Sequence, residues 1–153
     1  MTTPAGRPRT AGTTAILAGV LALLLAVLLG YLPLAFYVDH GLHGVDGKLL
    51  GVLGAYLGAA LVLLAGALCT FVRTVAGAVL VLVGGLFAIG AAVLEPVVLY
   101  PGHVGDFLVA VFRFDLDDAL VRAGALVGGA VVFVLAVLPG TFRYLRHRPA
   151  GSW

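Results

Sequence analysis

The sequence predicts an all-α membrane protein, a bundle of four transmembrane helices, and three observations carry that expectation. Hydrophobic residues fill 62% of the 153 positions, only 10% are charged, and the mean hydropathy is +1.17. A soluble domain has roughly a quarter of its residues charged. A chain this apolar cannot cover its surface with polar groups, so its solvent is the lipid bilayer. The second observation is four long apolar runs, each near the ~20 residues that cross a hydrocarbon core as helix. The third is the placement of the charges, which gather where those runs end.

The first run, 13–38, holds no charge, and Asp39 follows it. Arg7 and Arg9 precede it, as they would a secretory signal. The run is longer than a signal's apolar region, and no small-x-small cleavage pattern stands before Asp39, so it reads as a retained anchor. The second run is 49–72. Arg73 is the only charge between Lys48 and Glu95. One helix through that stretch would be about 68 Å long at ~1.5 Å per residue, so the chain must turn near Arg73. Thr74 is then a candidate N-cap for the third run, 74–95. Glu95-Pro96 is expected to end it, because proline cannot continue the helical hydrogen bonding. The fourth run, 117–139, opens on Asp117 and Asp118, which suit the positive end of a helix dipole. Pro139-Gly140 closes it. Between the third and fourth runs, Phe107 to Phe114 is apolar but too short to span. It fits an interfacial segment, although the alternation from Phe112 to Asp117 also fits a short extended piece. The organisation expected is a tail at 1–12, a four-helix domain at 13–142 and a basic tail at 143–153.

The charges also orient the chain. With the N-terminus in the cytoplasm, the inner segments hold Arg7, Arg9, Arg73, Arg143, Arg146 and Arg148, against Lys48, Arg113 and Arg122 outside. Six against three follows the positive-inside rule. All seven acidic residues fall at or beyond the outer boundary. The expectation is a multi-pass protein of the cell inner (plasma) membrane with both termini cytoplasmic. The basic residues cluster at helix ends, so the net charge of +2 reads as orientation and headgroup contact, with no nucleic-acid partner. Tyr31, Phe36, Tyr37 and Tyr100 fall near one interface, and Phe71, Phe142 and Tyr144 near the other, the depths amphipathic rings prefer.

Helices in lipid associate by close packing, which small residues at four-residue spacing permit. The second run carries Gly47, Gly51, Ala55 and Ala59, with Gly54 and Gly58 beside them. The third has Gly77, Gly84, Ala88 and Ala92, and the fourth Gly124, Ala125, Gly128 and Gly129. The first is Leu-rich with only Gly19 and Gly30. The second and fourth runs are therefore expected to form the packed centre and the first to face lipid. Asp118 and Arg122, four apart, are placed to pair on one helix face.

Catalytic chemistry finds little material. The spans hold no Ser and no His, and no pair of aspartates lies at membrane depth, so no nucleophile and base can be assembled. A lone cysteine, Cys69, makes no redox pair or zinc knuckle and reads as a small buried apolar residue. Tyr56 and Thr70 are isolated and suit interhelical hydrogen bonds. Glu95, about 20 residues from the turn, would lie roughly 30 Å along the helix, near the headgroups. It reads as an interfacial carboxylate, with an ion or proton site beside a broken helix as the alternative.

One constellation points to a ligand. The first outer loop contains His43 and Asp46, the second His103 and Asp106, each an H-x-x-D element. The two hairpins fit a parallel repeat with one element each. Imidazole and carboxylate suit a divalent metal, and four ligands would close the site, with no other cofactor implied. Against this, His, Asp and Gly are ordinary residues of short polar loops. Three four-helix families are excluded by missing residues. There is no Glu in the first span, as small multidrug transporters have, and no Cys pair, as claudin-like and thiol-oxidising proteins need. The expectation is a non-enzymatic structural or accessory subunit whose partners are lipid and another membrane protein, or itself, through glycine-rich faces. The alternatives are a small transporter or channel for an apolar or lipid-like molecule, and an extracytoplasmic metal-binding or sensing protein.

Overall fold

The computed structural model describes residues 10–41, 45–72, 74–114 and 118–138. Among these the chain is helical, with no strand. The helices are α1 (Thr10–His40), α2 (Gly47–Phe71), α3 (Val75–Leu99), α4 (Val104–Arg113), α5 (Ala119–Ala123) and α6 (Gly129–Val137). A π-helical turn, Gly124–Gly128, joins α5 to α6. Together α5, the π-turn and α6 make one apolar span, Ala119–Val137. With α1, α2 and α3 it gives four helices long and apolar enough to cross a membrane. Each carries large apolar side chains on its outer face, Leu24, Leu61, Leu86 and Val134 among them. That surface is stable only against hydrocarbon, and the chain is a multi-pass integral membrane protein.

Local chemistry explains most helix ends. Gly41, at φ 65°, closes α1 as its N–H reaches the Tyr37 carbonyl, an arrangement that favours glycine. Asp46 stands at the N-cap of α2 and accepts a long 3.5 Å bond from the Lys48 backbone N–H. Thr74 occupies the N-cap position of α3, but its hydroxyl donates back to the Cys69 carbonyl at 2.9 Å instead of capping. Pro101 and Gly102 (φ 90°) sit between Tyr100 and His103, and the His103 N–H bonds the Tyr100 carbonyl. Proline followed by a positive-φ glycine is the residue pattern of a type II turn. Arg73, Asp117, Pro139-Gly140 and the terminal tails lie outside the described residues.

One sequence expectation about the helices changes. Pro96 does not end α3, which runs on to Leu99. The missing N–H deprives only the Ala92 carbonyl of its backbone partner, and the helix continues for three residues beyond the proline. The apolar segment that begins at Phe107 is helical through Arg113, and of the Phe112 to Asp117 stretch, whose alternation also fits an extended piece, 115–117 lie outside the described residues. The apolar side of α4, with Val111 fully buried, lies against α3 and α5. The end of the bundle that α4 covers is called here the cap end.

The packing order also differs from the expectation. Around the bundle, α2 packs between α1 and α3, α3 between α2 and the fourth span, and the fourth span also touches α1. The second and fourth spans are diagonal and make no substantial contact. The fourth span is the most lipid-exposed, 28% buried against 44% for each of the others. The first is not the peripheral one, because Ala15, Ala18, Ala22, Leu25, Ala26, Leu29 and Leu32 recur at helical spacing and are buried. A row of alanines admits a neighbouring helix as closely as glycines do, which a count of glycines overlooks.

The tightest approach is between α2 and α3. A Cβ on Gly66 would lie 2.7 Å from the Val81 backbone nitrogen, and one on Gly84 2.8 Å from the Leu63 side chain. Gly77 faces the Thr70 backbone at still closer range. Between α3 and the fourth span, Gly85 and Gly129 meet, each Cβ position about 3 Å from the other's carbonyl oxygen. Gly124 and Gly128 receive Leu28 and Leu25 of α1. Gly47, Gly51, Gly54 and Gly58 of α2 have nothing within 4 Å of their Cβ positions and point away from the bundle.

Candidate functional site

The polar centre of the bundle joins three spans near the cap end. Glu95 of α3 is 4% exposed. Arg122 of α5 donates from Nε to Glu95 Oε1 at 2.9 Å and Oε2 at 3.1 Å, and its terminal nitrogen forms a 2.9 Å salt bridge with Oε1. Tyr56 of α2, fully buried, donates its hydroxyl to Glu95 Oε2 at 2.8 Å. The carboxylate therefore accepts from two helices at once. No buried side-chain nitrogen or oxygen among the described residues lacks a partner.

Helix geometry brings these residues together. Glu95 lies four residues before the end of α3 and Arg122 three residues after the start of α5. The two helices run in opposite directions, so both side chains fall at one depth, about 5–6 Å from the cap end by rise per residue. Opposite charges in a medium of low polarity attract strongly, and the arginine fork matches a carboxylate. The Arg122 guanidinium carbon also lies 5.8 Å from the centre of the Phe107 ring on α4, and Phe107 stacks on Tyr100 with ring centres 5.7 Å apart. Cation–π contact is favourable at that range.

The structure revises several sequence expectations. Glu95 is buried and paired, not an interfacial marker, because α3 continues past it. Arg122 makes a salt bridge with Glu95, 27 positions earlier, a partner that the sequence expectation did not name. Tyr56 does bond between helices, but Thr70 bonds within its own helix, donating to the Gly66 carbonyl at 2.8 Å. Cys69 is half-buried and not a core residue. The signal for the ion pair was present in the chain: two opposite charges about one turn from the facing ends of consecutive spans.

Of the metal-site residues, His43 lies outside the described residues. Asp46 is exposed at the start of α2, His103 is exposed just before α4, and Asp106 is exposed in the first turn of α4. Among the described residues, no three His, Cys, Asp or Glu side chains gather closely enough to hold a metal.

A second feature is apolar. Pro33, Leu34, Phe36 and Tyr37 of α1 and Leu50, Leu53, Gly54 and Leu57 of α2, with Val45, line a cleft of about 350 Å³. It opens beside the glycine row of α2. No protein-family model matches the chain, and neither does any curated protein or solved structure.

Proposed function

We propose that this protein is a non-enzymatic membrane subunit that associates laterally, with itself or with another membrane protein, across the glycine face of α2. The observation that supports this reading is the contrast among the glycines. Those at 66, 77, 84, 85 and 129 sit in tight contact inside the bundle, whereas Gly47, Gly51, Gly54 and Gly58 form an open row at heptad-like spacing. Such a row lets a second helix approach to backbone contact, where van der Waals packing drives association in lipid. The polar network fits the same reading, since its groups are bonded to one another and hold three spans in register.

Cysteine cross-linking tests it. In a Cys69→Ala background, Gly54→Cys is expected to form a disulfide-linked product in native membranes, as a homodimer or with a partner. Disulfides require Cα atoms roughly 4.4–6.8 Å apart. Val134→Cys, exposed on the fourth span, supplies the yield of random collision. Equal yields at both positions would remove the case for the α2 face.

The chain's orientation belongs to the same proposal, with both termini cytoplasmic and the cap end outside, in a plasma membrane. A reporter active only in the cytoplasm is expected to work after Trp153 and to stay silent at Gly44. The reverse pattern would invert the topology.

The cleft between α1 and α2 favours a second reading, a small transporter for an apolar or lipid-like molecule. Its volume is within the range of small-molecule sites and its lining is aliphatic and aromatic. Substrate-dependent flux in liposomes would support that reading over the first.

A further inference from the structure

We propose that α4 is a lid over the cap end and that Arg122 is the catch that holds it shut. The guanidinium bridges the Glu95 carboxylate and the Phe107 ring. Its edge binds the Glu95 carboxylate through Nε and a terminal nitrogen, and it lies 5.8 Å from the Phe107 ring of α4. Phe107 is held from its other neighbour by stacking on Tyr100, just beyond the end of α3. Val111 then seals the inner side of α4 at 0% exposure. Beneath this lid the Glu95 side chain is 5% exposed and that of Arg122 17%.

The helices on either side of the catch have weakened hydrogen bonding at the adjoining positions. Pro96 follows Glu95 directly and removes one backbone bond from α3. The π-turn Gly124–Gly128 begins two residues after Arg122. Proline and π-turns are the usual places where helices bend. Both partners of the ion pair therefore stand at the root of a short segment that can swing, the last turn of α3 and the single turn of α5. The ion pair fixes the two segments together, and α4 is attached to both through Tyr100 and Arg122.

Loss of the charge pairing releases the lid. The test uses a water-soluble maleimide on open membrane fragments, so that both faces are reachable, in the Cys69→Ala background. Val111→Cys reports on the lid. Ala67→Cys, buried at 0% in the half of α2 away from the cap end, reports on the bundle as a whole. Val111→Cys is expected to resist labelling, and adding Glu95→Gln is expected to raise its rate about tenfold or more, as a local opening does when it loses a charge-assisted contact. Arg122→Lys keeps the charge but loses the planar fork and is expected to do the same. Tyr56→Phe leaves the ion pair in place, and labelling is expected to stay at the parent rate. The inference is overturned if Glu95→Gln leaves Val111→Cys protected, if Tyr56→Phe opens it equally, or if Ala67→Cys becomes reactive alongside it.

Discussion

Glu95→Ala is expected to destabilise the bundle by about 3–5 kcal/mol, the usual effect of leaving one member of a buried ion pair alone. The substitution removes the carboxylate from the Arg122 guanidinium and deprives the Tyr56 hydroxyl of its acceptor. Arg122→Ala should cost a similar amount for the mirror-image reason. The informative variant removes all three groups together. Glu95→Met, Arg122→Met and Tyr56→Phe in one chain remove the carboxylate together with the two donors described for it, and well-packed apolar replacements of buried ion pairs are often neutral in stability. Most of the lost stability is therefore expected to return. Thermal unfolding in mild detergent, read by helicity, measures all of these. A triple variant as unstable as Glu95→Ala alone would mean that packing, not the orphaned charge, sets the cost.

The second large effect separates two kinds of glycine on one helix. Gly66→Ala places a methyl against the backbone of α3, 2.7 Å from the Val81 nitrogen. Backbone cannot move aside as a side chain does, so the two helices must separate along their closest contact. The expected loss is at the upper end of the ~1–3 kcal/mol typical of overpacking. Gly58→Ala meets open space and should be neutral or stabilising by up to ~1 kcal/mol through helix propensity. The same detergent unfolding assay decides. Equal destabilisation at the two positions would refute the assignment of α2 faces.

The contrast between Gly58 and Gly66 also marks how far the sequence could be read. The four spans were legible because bilayer thickness sets their length, and Arg73 forced a turn that the chain takes between α2 and α3. The choice of faces was not legible. In α2 the row of Gly47, Gly51, Gly54 and Gly58 is the more conspicuous pattern, yet it faces outward. The buried face is Val52, Tyr56, Ala59, Leu63, Ala67 and Thr70 with Gly66 among them. What selects it is the complement on α3, where Gly77 receives Thr70 and Gly84 receives Leu63. Such complementarity is a property of two helices and cannot be read from either alone. The Glu95–Arg122 pair escaped notice for another reason. Proline in a sequence predicts the end of a helix, although in a membrane neighbouring helices often carry a helix past it.

The 27 residues that separate Glu95 from Arg122 have a consequence for biogenesis. At roughly 5–20 residues per second, about 1–5 s pass between the synthesis of the carboxylate and that of its arginine. Until the fourth span joins α2 and α3, Tyr56 is the donor of this cluster that the Glu95 carboxylate can reach. A chain that stops before its fourth span would present to the insertion machinery a hairpin whose acid holds a single donor. The arginine thus completes the carboxylate's pairing only when the fourth span is in place.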